Sequence, residues 1–116
     1  FDAVASRYGV RMQGADELAL TKLDILSGME EIPVCISYQV DGRETTEFPT
    51  GARLQRAKPV LKTLRGWNCP ISNCRSWQEL PEAAREYILF LEKQVGCPIR
   101  YISVGAAREQ YLVREI

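Results

Sequence analysis

The sequence predicts an α/β fold, part of a mostly parallel sheet that carries a small antiparallel excursion. Three observations lead there. First, Leu18 to Leu23 and the run inside CPIRYISVG (97–105) are short and nearly continuous in apolar character, the pattern of strands covered on both faces. Second, the clearest helical periodicity in the chain, Ala84, Tyr87, Ile88, Leu91 and Val95, lies between them, and a helix joining two such strands implies a parallel crossover. Third, IPVCISYQV (32–40) alternates and runs into Asp41-Gly42, a tight-turn signal that places a hairpin between the two parallel strands.

In chain order, Phe1, Val4, Ala5, Tyr8 and Val10 or Met12 recur at near-helical spacing, and Gly14 is a helix stop. The buried strand at 18–23 follows, broken only by Thr21 and Lys22. SGMEE turns the chain into the strand at 32–40, whose partner lies across DGRET. FPTGARLQRAKP (48–59), rich in Pro, Gly and Arg, reads as a surface excursion, and VLKTLRGW (60–67) as a second extended segment in the same antiparallel layer. Pro81 and Glu82 suit the first turn of the long helix, and Gly96 ends it before the last predicted strand. No internal repeat and no low-complexity segment is present.

Composition narrows the function classes. An apolar fraction of 46% and a charged fraction of 26% are ordinary for a globular domain, which excludes a disordered tail. Fifteen basic residues balance fifteen acidic ones without a Lys/Arg run, so no electrostatic footprint for nucleic acid or an anionic membrane is expected. No apolar stretch approaches the ~20 residues that span a bilayer. The spacing of Cys69 and Cys74 misses that of zinc knuckles and redox dithiols, and the chain has no histidine, so no metal ligand and no catalytic residue is assigned to it. Four scattered thiols suggest a reducing compartment and hence the cytoplasm. The start at Phe1, already inside an amphipathic pattern, suggests a segment of a longer polypeptide.

In parallel sheets, ligands bind beyond the carboxyl ends of the strands, which draws attention to TKLD (21–24) and SVG (103–105). Guanine presents two adjacent donors on one edge, its ring N1–H and its exocyclic amine, and one carboxylate accepts both. Adenine would set a lone pair against the same carboxylate. On an extended segment Lys22 points to the same side as Asp24, so its stem suits the face of the base while the ammonium stays wet. Backbone N–H groups of SVGAA suit the guanine O6. Charged residues also close many strands that bind nothing, and the motif alone leaves both readings open.

LALTKLDILSGMEEIPVCISYQVDG, VLKTLRGW, SWQELPEAAREYILFLEKQVGCPIRYISVG and the later REQ resemble, in order and spacing, the C-terminal part of adenylosuccinate synthetases, from the first helix to Val113. The resemblance implies a P-loop-NTPase-like sheet and a GTP-dependent ligase of purine synthesis, which joins L-aspartate to IMP and releases adenylosuccinate, GDP and phosphate. It implies a 6-phosphoryl intermediate, Mg²⁺ bound outside this segment, and a catalytic aspartate and histidine in an N-terminal region that this chain lacks. Residues 1–116 would then be the C-terminal, guanine-nucleotide-binding segment of a single larger enzyme, a homodimer when complete, and inactive alone. The family's base-reading motif maps onto Lys22, Leu23 and Asp24, and its second nucleotide loop onto Ser103, Val104 and Gly105. Gly105-Ala106-Ala107 departs from the Gly-Pro-Gly type of turn common in that loop, and RMQGADE from the usual Asn-Gly-x-Thr lead-in.

Other residues read as structural: Trp67 and Trp77 as packing anchors, Arg108 as one half of a surface ion pair, Cys69 and Cys74 as plain thiols. Two other classes of function compete. A regulatory GTP-binding module would need a phosphate loop and a switch segment, and neither appears. A non-catalytic interaction domain would make TKLD only a strand end.

Overall fold

In the computed structural model, which describes residues 1–115, Asp2 opens helix α1 (Ala3–Gln13) by accepting the N–H groups of Val4 and Ala5, both at 3.0 Å. The predicted stop at Gly14 holds, with φ at 62°. The second Asp2 carboxylate oxygen accepts the Tyr38 hydroxyl, which ties the start of α1 to the strand beneath it.

Strand β1 is shorter than predicted. It spans Leu18–Leu20 and ends because Lys22 takes the left-handed conformation, φ 60° and ψ 31°, from which Leu23–Leu26 winds into a 3₁₀ turn. Nor is it covered on both faces: Ala19 is exposed, Leu18 and Leu20 are half-buried, and β1 is an edge strand of its sheet among the described residues.

Strands β2 (Glu31–Val40), β3 (Arg43–Thr45) and β4 (Lys58–Arg65) form an antiparallel sheet in the order β3-β2-β4. Val40 pairs with Arg43, so Asp41 and Gly42 alone make the turn, at φ 52° and 81°. Two positive φ values are what a two-residue hairpin loop with the sheet's own twist requires. The predicted surface excursion contains one exposed turn of helix, α2 (Ala52–Gln55).

Helix α3 (Glu82–Val95) starts after Pro81 and ends at Gly96, and all five residues of its predicted face are buried. It leads to β5 (Ile99–Ser103), which pairs in parallel with β1 as expected. Beyond it lies β6 (Tyr111–Val113), which pairs antiparallel with β5 and was not predicted, since three residues are too few to show a period. The expected mostly parallel sheet is therefore corrected to a mixed α/β architecture: β1·β5 is parallel, while β2·β3, β2·β4 and β5·β6 are antiparallel.

The main core lies between α3 and the strands. Ile88, Leu91, Ile102 and Val104 are fully buried there, and burying each such side chain contributes about 1.5–3 kcal/mol. Glu92 fastens the second sheet to the helix, accepting from the Ile99 N–H at 2.8 Å and from Arg114 at 2.6 Å. The Arg114 guanidinium in turn lies 4.6 Å from the centre of the Trp77 ring.

Candidate functional site

The two tips that the sequence singles out sit side by side. Leu20 is in register with Ile102, so β1 and β5 end together, and the 3₁₀ turn after β1 packs against β5. Left-handed backbone at Lys22, uncommon for a residue with a Cβ, swings the chain out of the strand. Lys22 and Asp24 therefore do not share one side of an extended segment, which corrects the geometry inferred from spacing. Lys22 is exposed, and Asp24 is half-buried on the turn.

Asp24 lines an open cleft of about 340 Å³ with Ser27, Gly28 and the stretch from Asn68 to Ser72. Its carboxylate makes no ion pair and no hydrogen bond among the described residues, so both oxygens are available to donors entering the cleft. The far rim is held by Trp67, whose indole N–H donates to Ser27 Oγ at 3.1 Å. That ring is 2% exposed and meets Tyr87 edge-on at 5.6 Å, the packing role the sequence suggested. Gly66, one residue earlier, donates its N–H to Glu30 O at 2.8 Å, bringing the end of β4 against the turn that follows Asp24.

The second tip is a braced loop. Val104 N–H donates to Gln110 O at 2.9 Å, and the Ser103 hydroxyl to Gly105 O at 3.1 Å. The Gln110 side chain folds back over the loop and accepts the Ala107 N–H at 3.0 Å. It leaves no room for a side chain at 105, where a Cβ would lie 2.2 Å from Gln110 Oε1. The N–H groups of Gly105 and Ala106 have no protein partner among the described residues.

Of the six predicted site residues, Leu23 and Val104 have their side chains in the core, 1% and 0% exposed. Neither side chain is available to a ligand. Asp24 lines the cleft itself; Lys22 opens the adjoining turn, Ser103 ends β5, and Gly105 lies in the loop that follows. Ser27, Asn68, Ser72 and Gln110 were not predicted. A polar NCPISN loop directly after a strand was the available signal for two of them. Arg108 is exposed and takes part in none of the four ion pairs among the described residues, so the expected pairing is absent. Cys74 is half-buried, and burial pushes its thiol above the usual range.

Comparison with known proteins decides the family. The sequence model of adenylosuccinate synthetase matches residues 1–112. The chain belongs to the adenylosuccinate synthetase family. It is 47% identical over 116 residues to the adenylosuccinate synthetase of Trichormus variabilis and 49% identical over 115 residues to that of Mycobacterium bovis, covering 99% and 98% of this chain. A solved structure described as fully ligated adenylosuccinate synthetase from Plasmodium falciparum superposes with a TM-score of 0.93 at 33% identity, over 99% of this chain and 28% of that one. The chain spans about a quarter of the length of these relatives, 26% and 27% for the two curated ones. The matches do not put that quarter at the C-terminal end of an adenylosuccinate synthetase, and the C-terminal placement expected from the resemblance is withdrawn.

Proposed function

We propose that this chain is the guanine-reading segment of a GTP-dependent ligase that joins IMP and L-aspartate to form adenylosuccinate, GDP and phosphate. The observation that carries the reading is the Asp24 carboxylate, without a protein partner among the described residues, in a cleft at the carboxyl end of the only parallel strand pair among them. A free carboxylate there accepts the N1–H and exocyclic amine of guanine together. The Lys22 stem lies along the face of the base, and the unpartnered N–H groups of Gly105 and Ala106 approach the guanine O6. Leu23 and Val104 anchor the two tips from below, and Ser103 shapes the second loop through its bond to Gly105 O.

The segment selects the nucleotide and leaves the phosphoryl and C–N chemistry to other parts of the polypeptide. The Mg²⁺ that such a reaction uses is assigned to residues elsewhere in the polypeptide. The complete protein is proposed to act as a homodimer in the cytoplasm. No helix among the described residues is long and apolar enough to cross a membrane.

The test is Asp24→Asn in the complete polypeptide. Losing a charge-assisted pair of hydrogen bonds is expected to raise the KM for GTP roughly ten- to a hundredfold. Xanthosine triphosphate, whose C2 oxygen accepts from the new amide, restores part of the activity. Unchanged GTP affinity in that variant would remove Asp24 from the site.

A further inference from the structure

We infer that Gln110 is a positioning residue that sets the backbone donors of the second nucleotide loop and couples that loop to the rim of the Asp24 cleft. The inference rests on the guanine-pocket reading of that cleft. Four features of one residue converge. Gln110 Oε1 accepts the Ala107 N–H at 3.0 Å, and Gln110 O accepts the Val104 N–H at 2.9 Å, so the residue closes the loop at both ends. Its carboxamide occupies the space that a Cβ at 105 would fill, 2.2 Å from Oε1 and 2.4 Å from Cδ. Its Nε2 donates to Ser72 O at 3.5 Å, and Ser72 lines the cleft that holds Asp24.

Between the two tied N–H groups, of Val104 and Ala107, stand the two free ones, of Gly105 and Ala106. With the outer pair tied, the two inner N–H groups are left as successive free donors, which suit an oxygen of high electron density such as a purine carbonyl. Gln110 is half-buried and does not line the cleft, so it acts through the loop and not on the base. The 3.5 Å contact to Ser72 is long, and the acceptor role of Oε1 carries more of the effect. A glycine at 105 follows from the same arrangement, because it is the packing of Gln110 that excludes a side chain there.

The experiment is a substitution series in the complete polypeptide with GTP, IMP and L-aspartate varied separately. Gln110→Leu removes the acceptor at similar size, and the KM for GTP is expected to rise about fivefold, the equivalent of one ordinary hydrogen bond. The KM values for IMP and L-aspartate should move less than about twofold by the same measure. Gln110→Glu keeps an acceptor oxygen for the Ala107 N–H but gives up the donor to Ser72 O, and it should recover part of the GTP binding lost in Gln110→Leu. Gly105→Ala, which pushes the carboxamide out from the other side, should reproduce the Gln110→Leu effect, and it stands in for that variant if Gln110→Leu does not fold. A Gln110→Leu enzyme with unchanged KM for GTP overturns the inference, as does a Gln110→Glu enzyme no better than Gln110→Leu. Failure of the underlying reading looks different: Asp24→Asn would then leave guanine selection intact, whatever the Gln110 series shows.

Discussion

Gly66→Ala is the most demanding prediction, because the same change at Gly105 is expected to behave in the opposite way. A Cβ on Gly66 would lie 1.9 Å from the Met29 carbonyl oxygen and 2.9 Å from its carbon. Both are backbone atoms of the turn that links Asp24 to β2, and no side-chain rotation can move them aside. Ordinary contact needs about 3.4 Å or more, so the end of β4 must retreat by about 1.5 Å, and the Gly66 N–H bond to Glu30 is lost. Overpacking of this kind costs about 1–3 kcal/mol and the lost bond about 0.5–1.5 kcal/mol, a total of about 1.5–4.5 kcal/mol. For a unit of this size that lowers Tm by roughly 10 °C. At Gly105 the nearest atoms belong to the flexible end of Gln110, so Gly105→Ala should cost less than about 1 kcal/mol while it disturbs nucleotide binding. Thermal unfolding of the two variants beside the parent checks both statements. If Gly66→Ala melts within about 2 °C of the parent, the rims of the cleft are not held by that close approach, and the reasoning fails.

Two further predictions follow from ionisable groups. Burial and the bond to Asp2 raise the Tyr38 hydroxyl well above its usual value of about 10. The unfolded chain therefore releases this proton first, and the stabilisation, fully present below pH ~10, is lost as pH rises above it, by up to about 1.4 kcal/mol per pH unit. Urea unfolding of Tyr38→Phe against the parent should show their difference shrinking above pH ~10, and parallel curves would contradict it. Cys69 is exposed on the cleft rim, whereas Cys35 and Cys97 are buried with their thiols pushed up by burial. Iodoacetamide should therefore modify Cys69 first, and GTP should slow that reaction in the complete polypeptide; equal rates with and without GTP would place the nucleotide elsewhere.

The α3 face, the Asp41-Gly42 hairpin, both helix-ending glycines and the parallel pairing of β1 with β5 were legible because each depends on a local rule. Periodicity, a tight-turn pair and left-handed caps act over a few residues, and a crossover helix imposes parallel strands. The edge position of β1 was not legible, since strand partners are chosen by contacts far apart in sequence, and β6 was not legible because three residues show no period. At the site, the sequence located the two tips but misjudged the path between Lys22 and Asp24. Spacing implied an extended segment there, and the turn toward the core, with Leu23 buried at 1% exposure, overrode it.

By itself, then, the sequence marked Lys22, Asp24 and the tip at 103–105 as candidates for recognition chemistry and determined that two of its strands run parallel. Only the tertiary structure decided that Asp24 opens into a cleft walled by Asn68 to Ser72, that Gly66 must press against Met29, and that Gln110 closes the loop over Gly105. The physical reason is range: a side chain's chemistry and a short period are properties of neighbours in the chain. Vacant acceptors and close backbone approaches arise where segments distant in the chain are packed against one another, as Ser27 and Trp67 are, and as Gln110 is with Ser72.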